Sequence, residues 1–390
     1  APAARLPPPP RSETAAAAPM SEHTTPAGKR GTATGQSNSK RARTSSSRAS
    51  RVGTGTPHVL EEATGDFSAD YSTVGVLGRG SFAEVNLLRH RVSGELFVLK
   101  TCCKLDAPSY SHLRAEAKAM AAFRSADAAH PLLVCPLACS NPPGRSANYS
   151  LLMPLCPGGD LLQLLRRQPR GAFPAEHARL YAAMASLGVQ ALHERGFAYR
   201  DLKPDNLLLR ADGYLALSDF GFACRATECG KLRVGTANYQ APEVVRKARH
   251  GKAVDWWALG VMLVEMLAGE LPFAPPRGEG EGGGAKECDV EAATDAAVLA
   301  HPGGVPLRCA PAVPAGAASD LVASLLEPDP AARLGAADPA AVRAASWMAE
   351  LNWAALEARS LPPPHVPPPL DADADVALCE LTKRCQSGFD

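Results

Sequence analysis

Two acidic residues, a lysine and an asparagine mark one stretch of the chain as a candidate for chemistry. Asp201 and Asp219 stand eighteen positions apart, with Lys203 two residues and Asn206 five residues after Asp201. Phosphoryl transfer needs a carboxylate for the acceptor hydroxyl, oxygen ligands for Mg²⁺ and a cation near the transferred phosphate. This stretch supplies all three. A loop whose acidic and amide side chains merely form turns is the alternative interpretation.

The segments before this stretch predict a small β-rich region. A strand over Val74–Leu77 leads through a glycine turn, Gly78-x-Gly80 followed by Ser81, to a strand that begins near Val85; a third strand, Glu95–Lys100, ends on a lysine. Helical spacing of apolar residues predicts a helix from Ser111 to about Arg124, and apolar runs predict strands at Leu132–Leu137 and Tyr149–Leu155.

The segments after Pro157-Gly158-Gly159 are helical in character, so we expect an α-rich region to follow the β-rich one. The chain is therefore predicted to be of the α+β class. A Gly-rich stretch, Gly278–Gly284, is expected to be a surface loop. The helical segments are Asp160–Arg167, Pro174–Arg195, Ala253–Ala268, Ala317–Leu326 and Ala340–Leu356.

Composition limits what kind of protein this is. The 390 residues are 46% hydrophobic with a formal net charge of +1, which supports a sizeable core and argues against a nucleic-acid-binding surface. The eleven cysteines lack the paired spacing of zinc sites or of disulfide-rich proteins, as expected in a reducing compartment. The longest apolar helical run, near Ala258–Gly269, carries Glu265 and is too short to span a membrane.

The first 56 residues are predicted to be disordered, because they contain nine basic and two acidic residues and hardly any large apolar side chains. The cluster Lys40–Arg43 is interpreted as a nuclear import signal, a fragment of an organelle-targeting peptide, or solvated charge. We expect a cytoplasmic protein, with nuclear import and organelle targeting as open alternatives.

Together these motifs resemble those of eukaryotic serine/threonine protein kinases of the AGC group, which includes the cyclic-nucleotide-dependent kinases. The resemblance covers roughly residues 67–390. Besides Tyr199-Arg200-Asp201-Leu202-Lys203-Pro204 and Asp219-Phe220-Gly221, it rests on Ala241-Pro242-Glu243, Asp255-Trp256-Trp257-Ala258-Leu259-Gly260, Asp329-Pro330-x-x-Arg333-Leu334 and the tail, which carries Asn352-Trp353-x-x-Leu356 and Leu361-Pro362-Pro363-Pro364-His365.

The resemblance implies a bilobal kinase fold with a β-rich N-lobe and an α-helical C-lobe. The expected divisions are a disordered tail (1–66), the N-lobe (67–153), a hinge (154–157), the C-lobe (158–348) and a C-terminal tail (349–390). It also implies a buried ion pair between Glu243 and Arg333, and an Asp255 that tethers the catalytic-loop backbone.

The resemblance implies that ATP and Mg²⁺ bind between the lobes. Asn206 and Asp219 are expected to hold Mg²⁺, and Lys100, which is fixed by its pairing with Glu116, is expected to orient the phosphates. Asp201 is expected to act on the acceptor hydroxyl, and Lys203 is expected to neutralise the charge of the transferred phosphoryl group. Gly78, Gly80 and Ser81 are expected at the phosphates. Leu77, Val85, Val98 and Leu208 are expected around adenine, with Met153 as gatekeeper and Pro154 and Cys156 offering hinge backbone groups.

Substrate recognition is also implied by the resemblance. Asp160, Asp205 and Glu265 correspond to acids that receive substrate arginines, so a basic residue two or three positions before the acceptor Ser or Thr is predicted. Thr236 is expected to hydrogen-bond Asp201 and Lys203. Two segments of the N-terminal tail, Arg41–Ser45 and Arg48–Ser50, carry a basic residue shortly before a Ser or Thr. Autophosphorylation of the tail, or occlusion of the site by the tail, is therefore a hypothesis.

Regulation is where the sequence departs from the pattern. Arg200 usually meets a phosphate on the activation segment, but the corresponding position is Leu232. Either Glu228 serves Arg200 as a fixed acid, or activation does not depend on such a phosphate. Phe389 is the only aromatic residue after Trp353, so docking of a C-terminal hydrophobic motif on the small lobe is not expected. Regulation by a cyclic nucleotide is expected to need a separate regulatory subunit.

Three rival functions remain. A pseudokinase scaffold would be expected to lack Lys100, Asp201 or Asp219, and all three are present. A small-molecule phosphotransferase would lack the Ala241-Pro242-Glu243 segment and the helices after it. A nucleic-acid-binding role would rest on the basic tail alone.

Overall fold

A computed structural model of the chain describes residues 62–63, 67–124, 130–144, 147–275, 287–306, 308–371 and 373–385. Within the predicted N-terminal tail (1–66), only Glu62–Ala63 are described, and they form a strand. The basic cluster of the tail, the Gly-rich stretch Gly278–Gly284 and Phe389 lie outside the described residues. Among the described helices, none combines the length and apolar character needed to cross a bilayer.

The N-lobe is built on one sheet with the strand order β1-β5-β6-β4-β3-β2. Five strands pair antiparallel, and β1 pairs parallel with β5 at one edge. One helix, α1, packs against β4 and β6. The bounds are β1 Glu62–Ala63, β2 Tyr71–Arg79, β3 Glu84–His90, β4 Leu96–Cys103, α1 Ala107–Arg124, β5 Ala138–Ser140 and β6 Asn148–Pro154.

The C-lobe is mainly helical and contains two sheets of two short strands each. Strands β8 and β9 form one hairpin and β7 pairs with β10. The bounds are α2 Leu161–Arg166, α3 Ala175–Glu194, β7 Phe197–Ala198, β8 Leu207–Leu209, β9 Leu215–Leu217, β10 Cys224–Arg225, α4 Pro242–Val245, α5 Ala253–Ala268, α6 Glu287–Ala300, α7 Ala317–Leu325, α8 Ala340–Ala344, α9 Ser346–Ala349, α10 Trp353–Glu357 and α11 Ala374–Cys385. The predicted bilobal α+β fold is confirmed.

The core of the C-lobe surrounds α3 and α5. Helix α5 is apolar on nearly all sides, which is typical of a helix at the centre of a domain. Trp256 and Trp257 are completely buried, and Gly260 lets the helix approach α7, since a Cβ there would lie 2.9 Å from the Cβ of Leu325. This helix also carries Asp255 into the site described below.

Two predicted elements are wrong. The run Leu132–Leu137 is not a strand of the sheet. Val134 N–H donates to Leu217 O and Leu217 N–H donates to Leu132 O, so this part of the run contacts β9, while Leu137 N–H donates to Leu152 O of β6. Pro136 has no N–H for a strand ladder. The single helix predicted over Ala340–Leu356 is three short helices, because Ala345 is extended between α8 and α9 and Asn352 caps α10. Helices α6 and α11 were not predicted.

The structure contains a disulfide that the cysteine spacing did not predict. Cys224 and Cys229 are bonded to each other and close a short loop at the start of the activation segment, next to the pairing of β10 with β7. The cysteine pattern, which favoured a reducing compartment, gave no indication of this bond. The local spacing carries no zinc-type or repeated pattern from which the pair could be predicted.

Candidate active site

The lysine of the N-lobe meets an acid from each lobe. Lys100 on β4 lies 2.9 Å from Glu116 Oε2 on α1 and 3.1 Å from Asp219 Oδ2. Burial lowers the pKa of Lys100, but Glu116 and Asp219 outweigh it and raise the pKa above its usual range. The predicted pairing of Lys100 with Glu116 is confirmed, and Lys100 also pairs directly with Asp219 of the other lobe.

Asp219 is held in an uncommon backbone conformation with φ of +52°. Left-handed backbone at a residue other than glycine costs about 1–3 kcal/mol and is common in active sites. Burial raises the pKa of Asp219, but Lys100 and His112 have the larger effect and lower the pKa of this carboxyl group well below its usual range. His112 Nε2 lies 3.1 Å from Asp219 Oδ1. Both contacts favour the ionised form of the carboxylate.

Asp201 receives hydrogen bonds from two residues, one on each carboxylate oxygen. Thr236 donates through its N–H (2.9 Å) and its Oγ1 (2.8 Å) to Oδ1, while Asn206 Nδ2 donates to Oδ2 at 2.8 Å. Lys203 Nζ lies 3.6 Å from Oδ2 and donates to Thr236 Oγ1 at 2.7 Å. The predicted contacts of Thr236 with Asp201 and Lys203 are confirmed. Burial raises the pKa of Asp201, although Lys203 and the hydrogen bonds oppose this.

The backbone that precedes Asp201 is held by Asp255 of helix α5. The Tyr199 and Arg200 N–H groups donate to Asp255 at 2.9 and 2.7 Å, which confirms the predicted tether. Arg200 has φ of +71°. Gly235 packs on the Arg200 carbonyl, because a Cβ on Gly235 would lie 2.3 Å from that oxygen. The large lobe thus determines where the Asp201 carboxylate points.

The residues expected around adenine form two adjoining apolar clusters that share Val98. Met153, Cys156 and Leu208 belong to one cluster, and Leu77 and Val85 belong to the other. The second cluster also contains Leu381 of α11, which is 1% exposed. Leu381 is a residue that the sequence pattern did not indicate, because α11 itself was not predicted.

The glycine turn joins β2 and β3 as predicted. Gly78 pairs with Val85 in the ladder, and Gly80 N–H donates to Ala83 O at 2.9 Å. Ser81 is exposed beyond the turn. The hydroxyl of Ser81 is therefore accessible at the end of this turn.

The donor set fits Mg²⁺ bound together with phosphates. Asn206 uses its Nδ2 on Asp201, which leaves its side-chain oxygen for a cation. Ser218, which precedes Asp219, donates from N–H and Oγ to Asn206 O at 2.9 and 3.0 Å, so the two predicted ligands are held close. Within the described residues no group of three or more His, Cys, Asp or Glu side chains could hold a metal ion alone. Mg²⁺ is commonly bound by one or two protein oxygens plus phosphates.

Three acids of the C-lobe, Asp160, Asp205 and Glu265, lie near one another. Asp160 caps α2 by accepting from Gln163 N–H at 2.8 Å, and Glu265 on α5 accepts from Tyr239 Oη at 2.5 Å. Burial raises the pKa of Asp160 to about 6 and that of Glu265 to about 7. Asp205 contributes to both shifts, so its charge repels each of the other two carboxylates. A bound cation would relieve this repulsion.

The predicted ion pair of the C-lobe is confirmed. Arg333 is 2% exposed, and its Nη1 and Nη2 lie 2.7 and 3.0 Å from the two carboxylate oxygens of Glu243. The guanidinium also donates to the backbone carbonyls of Glu327 and Ala253, both at 2.9 Å. This pair anchors the end of the activation segment to the helical lobe.

The activation segment departs from the expected phosphate contact. Leu232 is 72% exposed and has no hydroxyl. Arg200 Nε donates to Phe222 O at 2.8 Å, and no ion pair joins Arg200 to Glu228 within the described residues. The alternative in which Glu228 serves as a fixed acid is therefore not supported.

Sequence reasoning missed a second arginine of this segment. Arg233 pairs with Asp295 through two bonds of 2.8 Å and lies 2.9 Å from Glu291, both on α6. Its Nε also donates to Gln240. Because α6 was not predicted, no sequence signal linked Arg233 to these acids, which lie about sixty positions further along the chain.

Comparison with known proteins agrees with this geometry. The protein kinase domain family matches residues 71–348. The chain is 35% identical over 306 residues to serine/threonine-protein kinase N3 of mouse, covering 76% of this chain and 32% of that protein. It is 34% identical over 321 residues to atypical protein kinase C of Drosophila melanogaster, covering 79% of this chain and 49% of that protein.

A shorter relative is matched over most of its length. The chain is 30% identical over 329 residues to the cAMP-dependent protein kinase catalytic subunit PRKX of mouse, covering 83% of this chain and 84% of that protein. The chain therefore belongs to the protein kinase family, and its relatives place it among the serine/threonine kinases of the AGC group. It spans about a third to a half of the length of the first two relatives.

Proposed function

We propose that this chain transfers the γ-phosphoryl group of ATP to Ser or Thr hydroxyls of proteins, preferentially where a basic residue lies two or three positions before the acceptor. The observation that carries the first part is the convergence of Lys100, Asp219 and Asp201 in one cleft with their partners in place. The alternative, an ATP-binding pseudokinase scaffold, would be expected to lack one of these groups.

Each side chain has a distinct task in this mechanism. Asp201 orients the acceptor hydroxyl and takes its proton, and Thr236 and Asn206 hold that carboxylate in place. Lys203, 2.7 Å from Thr236 Oγ1, places a positive charge beside the reacting oxygen. Lys100 and Asp219 would hold the phosphates and Mg²⁺. When bound, Mg²⁺ supplies charge neutralisation for the transferred group.

The preference for basic sequences is supported by the three acids. Asp205 lies close enough to raise the pKa of both Asp160 and Glu265, and a carboxylate can hold an arginine through two parallel hydrogen bonds. We therefore propose that a substrate arginine binds at this cluster. A separate regulatory subunit and nuclear import remain proposals that rest on the sequence alone.

An arrayed peptide screen tests both parts. The wild-type chain should phosphorylate Ser/Thr peptides with arginine two or three positions upstream, and Asp219→Ala should not. Asp201→Asn should bind ATP nearly as the wild type does but lose turnover by orders of magnitude. Bound ATP without turnover in the wild type would support the pseudokinase alternative.

The acid cluster has a matched control. Glu265→Gln should weaken the preference for arginine, whereas Glu350→Gln, which alters an exposed carboxylate paired with Arg179, should not. A wild-type preference for acidic or proline-directed sites would contradict the proposed specificity while leaving kinase activity established.

A further inference from the structure

His112 contacts the carboxylate that is expected to bind metal. It lies on α1 one turn before Glu116, is 7% exposed, and places Nε2 3.1 Å from Asp219 Oδ1. Gly221 N–H lies 3.3 Å from the same oxygen, while Lys100 lies 3.1 Å from Oδ2. The two oxygens of Asp219 thus have different partners: Oδ1 is held by the ring and a backbone amide, and Oδ2 by the lysine expected at the phosphates.

The imidazole ring also joins three parts of the molecule. It stacks on Phe82 of the glycine turn with ring centroids 4.1 Å apart, and it meets Phe222 of the activation segment edge to face at 4.7 Å. A Cβ on Gly221 would lie 2.0 Å from His112 Nε2, so the ring uses space that only glycine leaves. These contacts tie α1 to the start of the activation segment.

The usual phosphate contact is not available at the corresponding position. Leu232 cannot be phosphorylated, and Arg200 Nε donates to Phe222 O. Of the three hydroxyls between Asp219 and Glu243, Thr236 Oγ1 contacts Asp201 and Lys203, and Tyr239 Oη contacts Glu265. Thr227 is the remaining one.

We propose that His112 is a positioning residue that fixes Asp219 for Mg²⁺ and links α1 to the activation segment, so that the chain works without a phosphate on that segment. This proposal rests on the proposed kinase function. Its physical basis is that a hydrogen bond from the ring to Oδ1, opposite the contact of Lys100 with Oδ2, fixes the orientation of the carboxylate.

Separate variants remove the hydrogen bond and the stacking. His112→Phe keeps an aromatic ring against Phe82 but removes the donor, and we expect about tenfold lower kcat and about tenfold more Mg²⁺ for half-maximal activity. His112→Gln offers an amide donor and should recover most of this loss. His177→Phe, on α3, should behave as the wild type does. Thermal unfolding of each variant separates a folding defect from a positioning defect.

A second readout needs no turnover. The Mg²⁺ dependence of binding of a non-hydrolysable ATP analogue, measured by calorimetry, should shift about tenfold in His112→Phe and be restored in His112→Gln. The wild type treated with phosphatase, and Thr227→Ala, should keep their activity.

Three results would overturn the proposal: an unchanged Mg²⁺ dependence in His112→Phe, a change explained wholly by a lower unfolding temperature, or loss of wild-type activity on phosphatase treatment. An inactive wild type would instead count against the proposed function, and the calorimetric shift would still decide the role of His112.

Discussion

Replacement of Asp255 by asparagine is the sharpest test of how the site is held. Asp255 is completely buried on α5. It accepts hydrogen bonds from the N–H groups of Tyr199 and Arg200, and His193 Nε2 lies 2.7 Å from its Oδ2. Asparagine has nearly the same shape, but it carries no charge and turns an NH₂ group toward one of these donors.

The expected cost follows from these contacts. A hydrogen bond to a charged group contributes about 1.5–3 kcal/mol, and a buried donor left without an acceptor costs about 1–3 kcal/mol. We therefore expect Asp255→Asn to lower the free energy of unfolding by about 3–5 kcal/mol, a large share of the roughly 5–15 kcal/mol typical of a protein.

The activity should fall as well. The strained φ of +71° at Arg200 persists because its N–H is tied to Asp255. Release of this bond would let the backbone relax and displace the Asp201 carboxylate. A displacement of about 1 Å can cost on the order of 100-fold in rate, so we expect kcat to fall between about 10-fold and 100-fold.

Urea unfolding followed by tryptophan fluorescence, with kcat measured in parallel, checks both expectations. Asp212→Asn is the matched control, because Asp212 is 42% exposed and pairs with Arg359 on the surface. Exposed pairs contribute about 0–1 kcal/mol. If both variants unfold at the same urea concentration and kcat is unchanged, Asp255 does not hold the catalytic loop.

Three further outcomes follow from the same structure. Lys100→Met should lower turnover by on the order of 100-fold, because it removes the cation expected at the phosphates; a loss below about tenfold in steady-state assays would contradict its role. Arg333→Ala should lower the free energy of unfolding by about 3–5 kcal/mol in urea titrations, because it leaves the buried Glu243 carboxylate without its cation. An unchanged urea concentration at the midpoint of unfolding would argue against a stabilising role of this ion pair. The KM for an arginine-containing peptide should rise as the pH falls from about 8 to about 6. The reason is that Asp160 and Glu265, with pKa values raised to about 6 and about 7, lose negative charge in this window. A peptide without arginine should show no such rise, and equal behaviour of the two peptides would refute the assignment.

Local sequence predicted most elements that carry the site. The strand ending on Lys100 and the helix Ala253–Ala268 are found where spacing and apolar pattern indicated them, although the strand continues to Cys103. The run Leu132–Leu137 failed because a short apolar run has the same composition whether it pairs in the sheet or contacts β9. The helix predicted over Ala340–Leu356 failed because its breaks depend on local caps.

The sequence alone determined which chemistry is present: the acids, lysines and asparagine with the spacing of a phosphoryl-transfer site, and the family to which they point. Only the tertiary structure decided that His112 meets Asp219, 107 positions away, and that Leu381 joins the cluster beside Val98. The physical reason is that a local pattern reports a residue's own backbone and its exposed or buried face. Which distant side chains then meet depends on how the elements pack.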